Sequence, residues 1–188
     1  MPSYSIVSGS YDGCVRVYDL RMGRMTIDVL GFPVTSVRDS ADGNALLAST
    51  LDGRIRLLDR ADGSLLKAFG GGGGNEEGGG GGGEGSYTPK GKGGKSIPKY
   101  RNTEMRIRSV FAKGDAVVLS GSEGVIAGGG DDSISRQAHV FAWDVLSGEV
   151  IARVAAGEGV KVVSCVAWNE KGGCWAGGCS DGMLERMI

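Results

Sequence analysis

The 188-residue chain has one histidine, four cysteines and four prolines. With His139 alone there is almost no choice of general base, so no Ser/His/Asp or Cys/His nucleophile constellation finds support. Cys14, Cys165, Cys174 and Cys179 form no Cys-x-x-Cys pair, and their spacing does not offer the ligands of a zinc site. They read as reduced strand thiols, and an intracellular chain is the expectation. No apolar run is long enough to cross a bilayer. Residues 1–5 lack the basic-then-apolar pattern of a secretory leader. Charge of one sign is missing too. Against 21 Lys+Arg stand 22 Asp+Glu, and a net charge of −1 removes any electrostatic case for wholesale nucleic-acid binding.

Glycine is in surplus. Of 36 glycines, fifteen fall between Gly70 and Gly94. The tract from Gly70 to Gly85 is nearly pure glycine with Asn75, Glu76, Glu77 and Glu84. It cannot bury enough apolar surface to offset its ordering entropy, so a solvated, flexible loop is expected there. Elsewhere the glycines punctuate short alternating runs, as in a turn-rich β protein.

Those runs repeat. Ser8-Gly9-Ser10-Tyr11-Asp12-Gly13-Cys14-Val15-Arg16-Val17-Tyr18-Asp19 reads as strand, tight turn, strand. It returns as Ser49-Thr50-Leu51-Asp52-Gly53-Arg54-Ile55-Arg56-Leu57-Leu58-Asp59, with the turn Asp moving from 12 to 52 and the closing Asp from 19 to 59. A fixed period of about 40 residues is the signature of a WD-repeat propeller blade. The expected fold is all-β: a partial WD-repeat β-propeller of three to four four-stranded antiparallel blades, interrupted by glycine-rich loops. Residues 1–69 supply one partial and one complete blade. Residues 70–101 form a flexible Gly/Lys-rich insertion. Residues 102–188 supply further blades, with a loop insertion at 125–137 and a last blade cut short. Ser120-Gly121-Ser122-Glu123-Gly124 matches the hallmark turn with one residue fewer and Glu for Asp, and Gly178-Cys179-Ser180-Asp181-Gly182 repeats it. The blades at the two ends should leave open sheet faces, so the isolated chain is expected to oligomerise, aggregate or need a partner.

The recurring residues read as structural. Asp12, Asp52 and Asp181 are placed to accept backbone N–H bonds and fix their hairpins, while Asp19, Asp59 and the Trp143-Asp144 pair close the following strands. Arg16 and Arg56 share one strand position, which favours packing over binding. No catalytic residue, cofactor, metal or small-molecule substrate is expected. Gly94-Lys95-Ser96 resembles the end of a phosphate loop, but Pro89 stands where that motif needs glycine. Asp131-Asp132-Ser133 lacks the oxygen spacing of a calcium loop. A second functional reading is an RNA-contacting ribonucleoprotein component that uses the basic loop from Lys90 to Arg101, with Lys90, Lys92, Lys95, Lys99 and Arg101 on phosphates or an acidic partner.

The strings Tyr18-Asp19-Leu20-Arg21-Met22-Gly23, Ile55-Arg56-Leu57-Leu58-Asp59 and Asn102-Thr103-Glu104-Met105-Arg106-Ile107-Arg108 resemble the mitogen-activated protein kinase organizer subfamily of WD-repeat proteins. The resemblance spans about the C-terminal half of that family's seven-bladed propeller. It implies a non-enzymatic scaffold in spliceosomal or kinase-cascade assemblies, nuclear or cytoplasmic, with protein partners.

Overall fold

The computed structural model describes residues 4–71, 99–126, 136–182 and 184–187. Within them every regular element is a strand. β1 (Ser5–Gly9), β2 (Cys14–Asp19) and β3 (Arg24–Val29) form the first sheet. β4 (Val34–Asp39), β5 (Ala45–Thr50), β6 (Arg54–Asp59) and β7 (Leu65–Gly70) form the second, a simple antiparallel meander. The third contains β8 (Ser109–Ala112), β9 (Val117–Gly121), β12 (His139–Asp144) and β13 (Val150–Ala155). Between β9 and β12 lies a two-residue ladder of β10 (Val125–Ile126) and β11 (Arg136–Gln137). β14 (Val163–Asn169), β15 (Cys174–Cys179) and β16 (Leu184–Met187) complete the fourth sheet.

These sheets are blades, and each interior blade is buried on both faces. Side chains alternate across a strand. Residues facing the preceding blade and residues facing the next blade therefore interleave, and we term the two sides the leading and trailing faces. Val7, Val15 and Val17 on the trailing face of blade 1 join Val34, Leu46, Ala48 and Leu58 in one cluster. Leu47, Ile55, Leu57 and Phe69 on the trailing face of blade 2 meet Val118, Phe141 and Trp143 of blade 3. Leu119, Val140 and Ala142 of blade 3 share a third cluster with Val163, Val166, Trp168 and Trp175 of blade 4.

Blades approach closely at their inner ends, where one strand position is glycine in blades 1 and 3 and the small Ser49 in blade 2. A Cβ on Gly121 would lie 2.1 Å from the Val163 carbonyl oxygen, and one on Gly9 would lie 2.5 Å from Val34 Cγ1. Polar links repeat from blade to blade as well. The amide of Ala41 donates to Asp115 Oδ2 (2.5 Å), and the amide of Gly114 donates to Glu170 Oε1 (2.7 Å). Both join the first turn of one blade to that of the next.

Two expectations change. Tyr100 falls inside the 70–101 segment read as a flexible insertion, yet it is a core residue. Its ring stands edge-on to Trp143 (5.2 Å between centroids) and to Phe141 (5.8 Å). Its hydroxyl pairs with Ser120 Oγ at 3.3 Å. At the other end of that segment, Gly70 pairs with Arg54 as the last residue of β7. The remainder, 72–98, lies outside the described residues, as do 127–135 with Asp131, Asp132 and Ser133. The first strand of blade 3 begins at Ser109, and in the lead-in before it Tyr100, Asn102 and Ile107 are buried.

Trp143 fills the junction of blades 2 and 3, stacked on Phe141 and tilted against Phe69. Trp143→Ala is expected to cost about 3–5 kcal/mol in chemical denaturation. Gly121→Val should destabilise the blade 3–blade 4 junction through steric overlap with backbone, and a melting temperature equal to wild type would refute this packing.

Candidate interaction surface

The hallmark turn is built by its aspartate. In blade 1 the Cys14 amide donates to Asp12 Oδ1 (3.0 Å), while Arg16 Nη2 reaches Asp12 Oδ2 at 2.6 Å. In blade 2 the Arg54 amide donates to Asp52 Oδ1 (3.2 Å) and Arg56 Nη2 reaches Asp52 Oδ2 at 2.5 Å. Thr50 Oγ1 adds a further bond to Asp52. The turns span more than the two residues of the tightest hairpins, since Gly9 pairs with Val15 and Thr50 with Arg54. Gly13 and Gly53 take φ of 83° and 74°, the left-handed region that glycine enters freely. The hydrogen bond from Arg16 holds the Asp12 carboxyl well below the usual range. Burial of Asp52 opposes ionisation, but its bonds from Arg56 and Thr50 outweigh that and also lower it.

The closing aspartates fix the next turn. Asp19 accepts from the amides of Arg21 (2.9 Å) and Met22 (3.0 Å), Asp59 from Ala61 (2.7 Å), and Asp144 from Ser147 (2.7 Å). Asp181, the counterpart of Asp12 and Asp52, sits exposed in the turn between β15 and β16. The four cysteines are free thiols.

Glu123 acts differently from the turn aspartates it replaces. It accepts the amides of Thr103, Glu104 and Met105 (2.7–2.8 Å) and the Thr103 hydroxyl (2.8 Å). Arg101 Nε approaches it at 3.3 Å. Its hairpin is split by the 125–137 segment, so no tight turn follows for it to hold. Instead, the longer side chain ties down the lead-in to blade 3. Burial works against the Glu123 charge, but those amide bonds leave its carboxyl below the ordinary range. The Glu123 carboxylate also engages Arg101, one of the residues offered for RNA. Lys99 is exposed, while Lys90, Lys92 and Lys95 lie outside the described residues.

The loop that Glu123 orders presents Arg106 and Arg108. They line a cleft of about 370 Å³ with Thr35, Ser164 and Cys165. Thr35 and Ser164 sit at equivalent places, each within a register shift in the first strand of its blade, between Val34 and Ser36 and between Val163 and Cys165. Such bulges re-aim a side chain. The lead-in is held from both sides: Thr35 Oγ1 donates to the Ile107 carbonyl (2.9 Å) and the Arg108 amide donates to the Ser164 carbonyl (3.0 Å). Arg106 lies over the Tyr11 ring at 4.9 Å and donates to its hydroxyl at 3.2 Å, bringing the blade 1 turn to the same edge. Among the described residues neither Arg106 nor Arg108 has a carboxylate partner. Sequence reasoning gave neither a binding role. The available signal was two arginines flanking one apolar residue just before a blade. Among the described residues no group of three or more His, Cys, Asp or Glu is placed to hold a metal ion.

The Asp52–Arg56 pair has both side chains about 12% exposed, so Asp52→Ala strands a buried guanidinium and should cost about 3 kcal/mol. Asp12→Ala, at a more open pair, should cost less, and equal losses in urea melts would contradict this ranking. Glu123→Ala should cost about 2–3 kcal/mol by orphaning buried donors. Because the folded-state carboxyl is depressed, its contribution is complete above the ordinary glutamate value of 4.5 and is lost as pH falls through the lower folded value. The stability advantage of wild type over Glu123→Gln should therefore shrink below about pH 4.5. A gap constant from pH 6 to pH 3 would overturn that assignment.

Comparison with known proteins agrees with this architecture. The family model for the WD domain, G-beta repeat, matches residues 2–19 and 27–59. WD repeat domain-containing protein 83 of Rattus norvegicus is 29% identical over 171 residues, 91% of this chain and 41% of the relative. A WD repeat-containing protein of Schizosaccharomyces pombe is 33% identical over 118 residues, 63% of this chain and 30% of the relative. The chain thus spans less than half the length of either. The crystal structure of the computationally designed Ika4 protein superposes with a TM-score of 0.62 at 17% identity, covering 100% of this chain and 87% of that one. Repeats at a 40-residue period, blades packed in series and these matches together make this a WD-repeat protein built of β-propeller blades.

Proposed function

We propose that the chain is a non-enzymatic scaffold that binds partner proteins at the inner edge of its blades. The carrying observation is the Arg106–Arg108 cleft. Two cations without carboxylate partners sit beside two re-aimed hydroxyls and an exposed tyrosine, on a lead-in anchored by Glu123. A rigid basic rim with an aromatic edge suits an acidic segment of a partner protein, because the guanidinium forks pair carboxylates bidentately without reorganising the blade. WD-repeat proteins generally serve as protein-interaction scaffolds, and the similarity to WD repeat domain-containing protein 83 supports the same role here.

The finer reading rests on the resemblance to the mitogen-activated protein kinase organizer subfamily. It makes the partners spliceosomal or kinase-cascade components and puts the protein in the nucleus or cytoplasm. Affinity purification of native complexes with mass spectrometry tests both levels when wild type is compared with Arg106→Glu/Arg108→Glu. The double variant should melt like wild type and lose a reproducible set of proteins that includes such components. Identical protein sets from the two baits would refute the cleft as the binding edge. A lost set without spliceosomal or kinase-cascade members would refute the finer reading alone.

A further inference from the structure

The lead-in to blade 3 holds a surface hydroxyl between a guanidinium and a carboxylate. Residues 99–108 pair in no ladder, and Thr103 within them is exposed. Its amide donates to Glu123 Oε1 and its hydroxyl to Glu123 Oε2, both at 2.8 Å. Arg101 Nε donates to the same hydroxyl oxygen at 3.0 Å. Ser40 and Thr50 also donate to carboxylates, those of Asp42 and Asp52, but Ser40 and Thr50 are buried. Arg101 further approaches Glu123 at 3.3 Å and Glu104 at 3.5 Å. The cluster therefore sets two carboxylates against one guanidinium. What lets Glu123 keep its charge there is the set of amides from Thr103, Glu104 and Met105.

A phosphate ester on Thr103 would change this clasp in two ways. The ester oxygen has no proton left to donate to Glu123. Close to two negative charges would also stand where the hydroxyl lay, beside a cluster that already holds more carboxylate than guanidinium. The Thr103 amide is bonded to the same carboxylate, so the two charges separate only if Glu123 releases its amides. That frees residues 103–105, next to Arg106. Ile107 and Arg108 keep their bonds to Thr35 and Ser164. Arg106 is then no longer held over the Tyr11 ring by an ordered neighbour.

We infer that Thr103 is a phosphorylation site whose modification opens the lead-in and releases Arg106 from the cleft. Its effect on binding rests on the reading of the Arg106–Arg108 cleft as a partner site. The phosphoryl donor is a nucleoside triphosphate. The bond from Thr103 Oγ1 to the γ-phosphorus forms, the bond from that phosphorus to the β–γ bridging oxygen breaks, the nucleoside diphosphate leaves, and the hydroxyl proton passes to the kinase's general base. Arg101 and Lys99, two and four residues before Thr103, supply the charge pattern that a kinase preferring basic residues on that side reads. The hydroxyl is reached when the lead-in opens locally, because irregular backbone held by a few bonds opens before packed strands do. The phosphate then bars reclosure, so the modification shifts an existing equilibrium.

Phosphopeptide mass spectrometry on the native protein, purified in phosphatase inhibitors, should find phosphate on Thr103. A peptide present only in unmodified form overturns the site. The full 188-residue chain phosphorylated at Thr103 tests the consequence. Amide hydrogen exchange at Thr103, Glu104 and Met105 should be roughly tenfold faster than in the unmodified chain, with β9 and β12 unchanged. Thr103→Val removes the hydroxyl without adding charge and should stay within about threefold of wild type. Equal exchange in the phosphorylated and unmodified chains overturns the proposal, and so does equal acceleration by Thr103→Val. If the phosphorylated chain fails to fold, Thr103→Glu, with about half the added charge, serves instead. Exchange is read without any partner, which separates it from the cleft reading. If the lead-in opens but the phosphorylated chain and Arg106→Glu/Arg108→Glu both capture the wild-type set of proteins, the cleft reading fails and the phosphorylation site stands. If charge reversal loses proteins that the phosphorylated chain keeps, the effect on binding is refuted alone.

Discussion

Everything in this fold depends on burying both faces of a short antiparallel sheet. A strand has period 2, so a sheet covered on one side shows half its side chains to solvent. Here β5, β6, β9 and β12 are apolar at consecutive positions, and no single layer can satisfy such a pattern. Leu46 and Leu47, or Phe141, Ala142 and Trp143, point to opposite sides and each side has its own neighbour. Blade stacking is therefore the only way these strands leave water. The Asp-fixed hairpins set the lengths of the strands so that the stack stays in register.

The same requirement fixes what can vary. Positions between blades tolerate little, as the space around Gly121 shows, while the turns at the blade ends are free to diverge. The residues proposed to bind a partner accordingly sit at the ends and on the lead-ins. Arg106 and Arg108 are displayed by the irregular backbone that leads into β8, and that backbone is held by a buried glutamate rather than by a ladder. A scaffold built this way separates stability from recognition. Charge reversal at the cleft leaves the packed faces untouched.

The blade architecture was legible in the sequence because it repeats. Asp12 and Asp52, with Arg16 and Arg56 four residues on, announced the same hairpin twice, and the structure gives both pairs the same ion pair. The role of Tyr100 was not legible. It sits at the end of a compositionally biased tract, and composition describes the tract, not the residue that re-enters the core. Glu123 was misassigned for a related reason. Its sequence context matched the turn motif, but its partners are amides nearly twenty residues away, brought near only when the lead-in folds back. The cleft escaped because bulges at Thr35 and Ser164 are properties of strand pairing, and a single strand read by itself shows no bulge.

Polar links between blades impose a direction on the stack. Ala41 donates to Asp115 and Gly114 to Glu170, so each first turn gives an amide to the carboxylate of the next. Such bonds cannot be made in reverse, since the leading and trailing edges differ chemically. Size does not follow that polarity: Trp143, Trp168 and Trp175 stand on leading faces, but the trailing face of blade 2 carries Leu47, Ile55, Leu57 and Phe69. Stacking energy alone would accept any apolar sheet. The directed carboxylate–amide links, rather than side-chain size, give blades 2 to 4 their order.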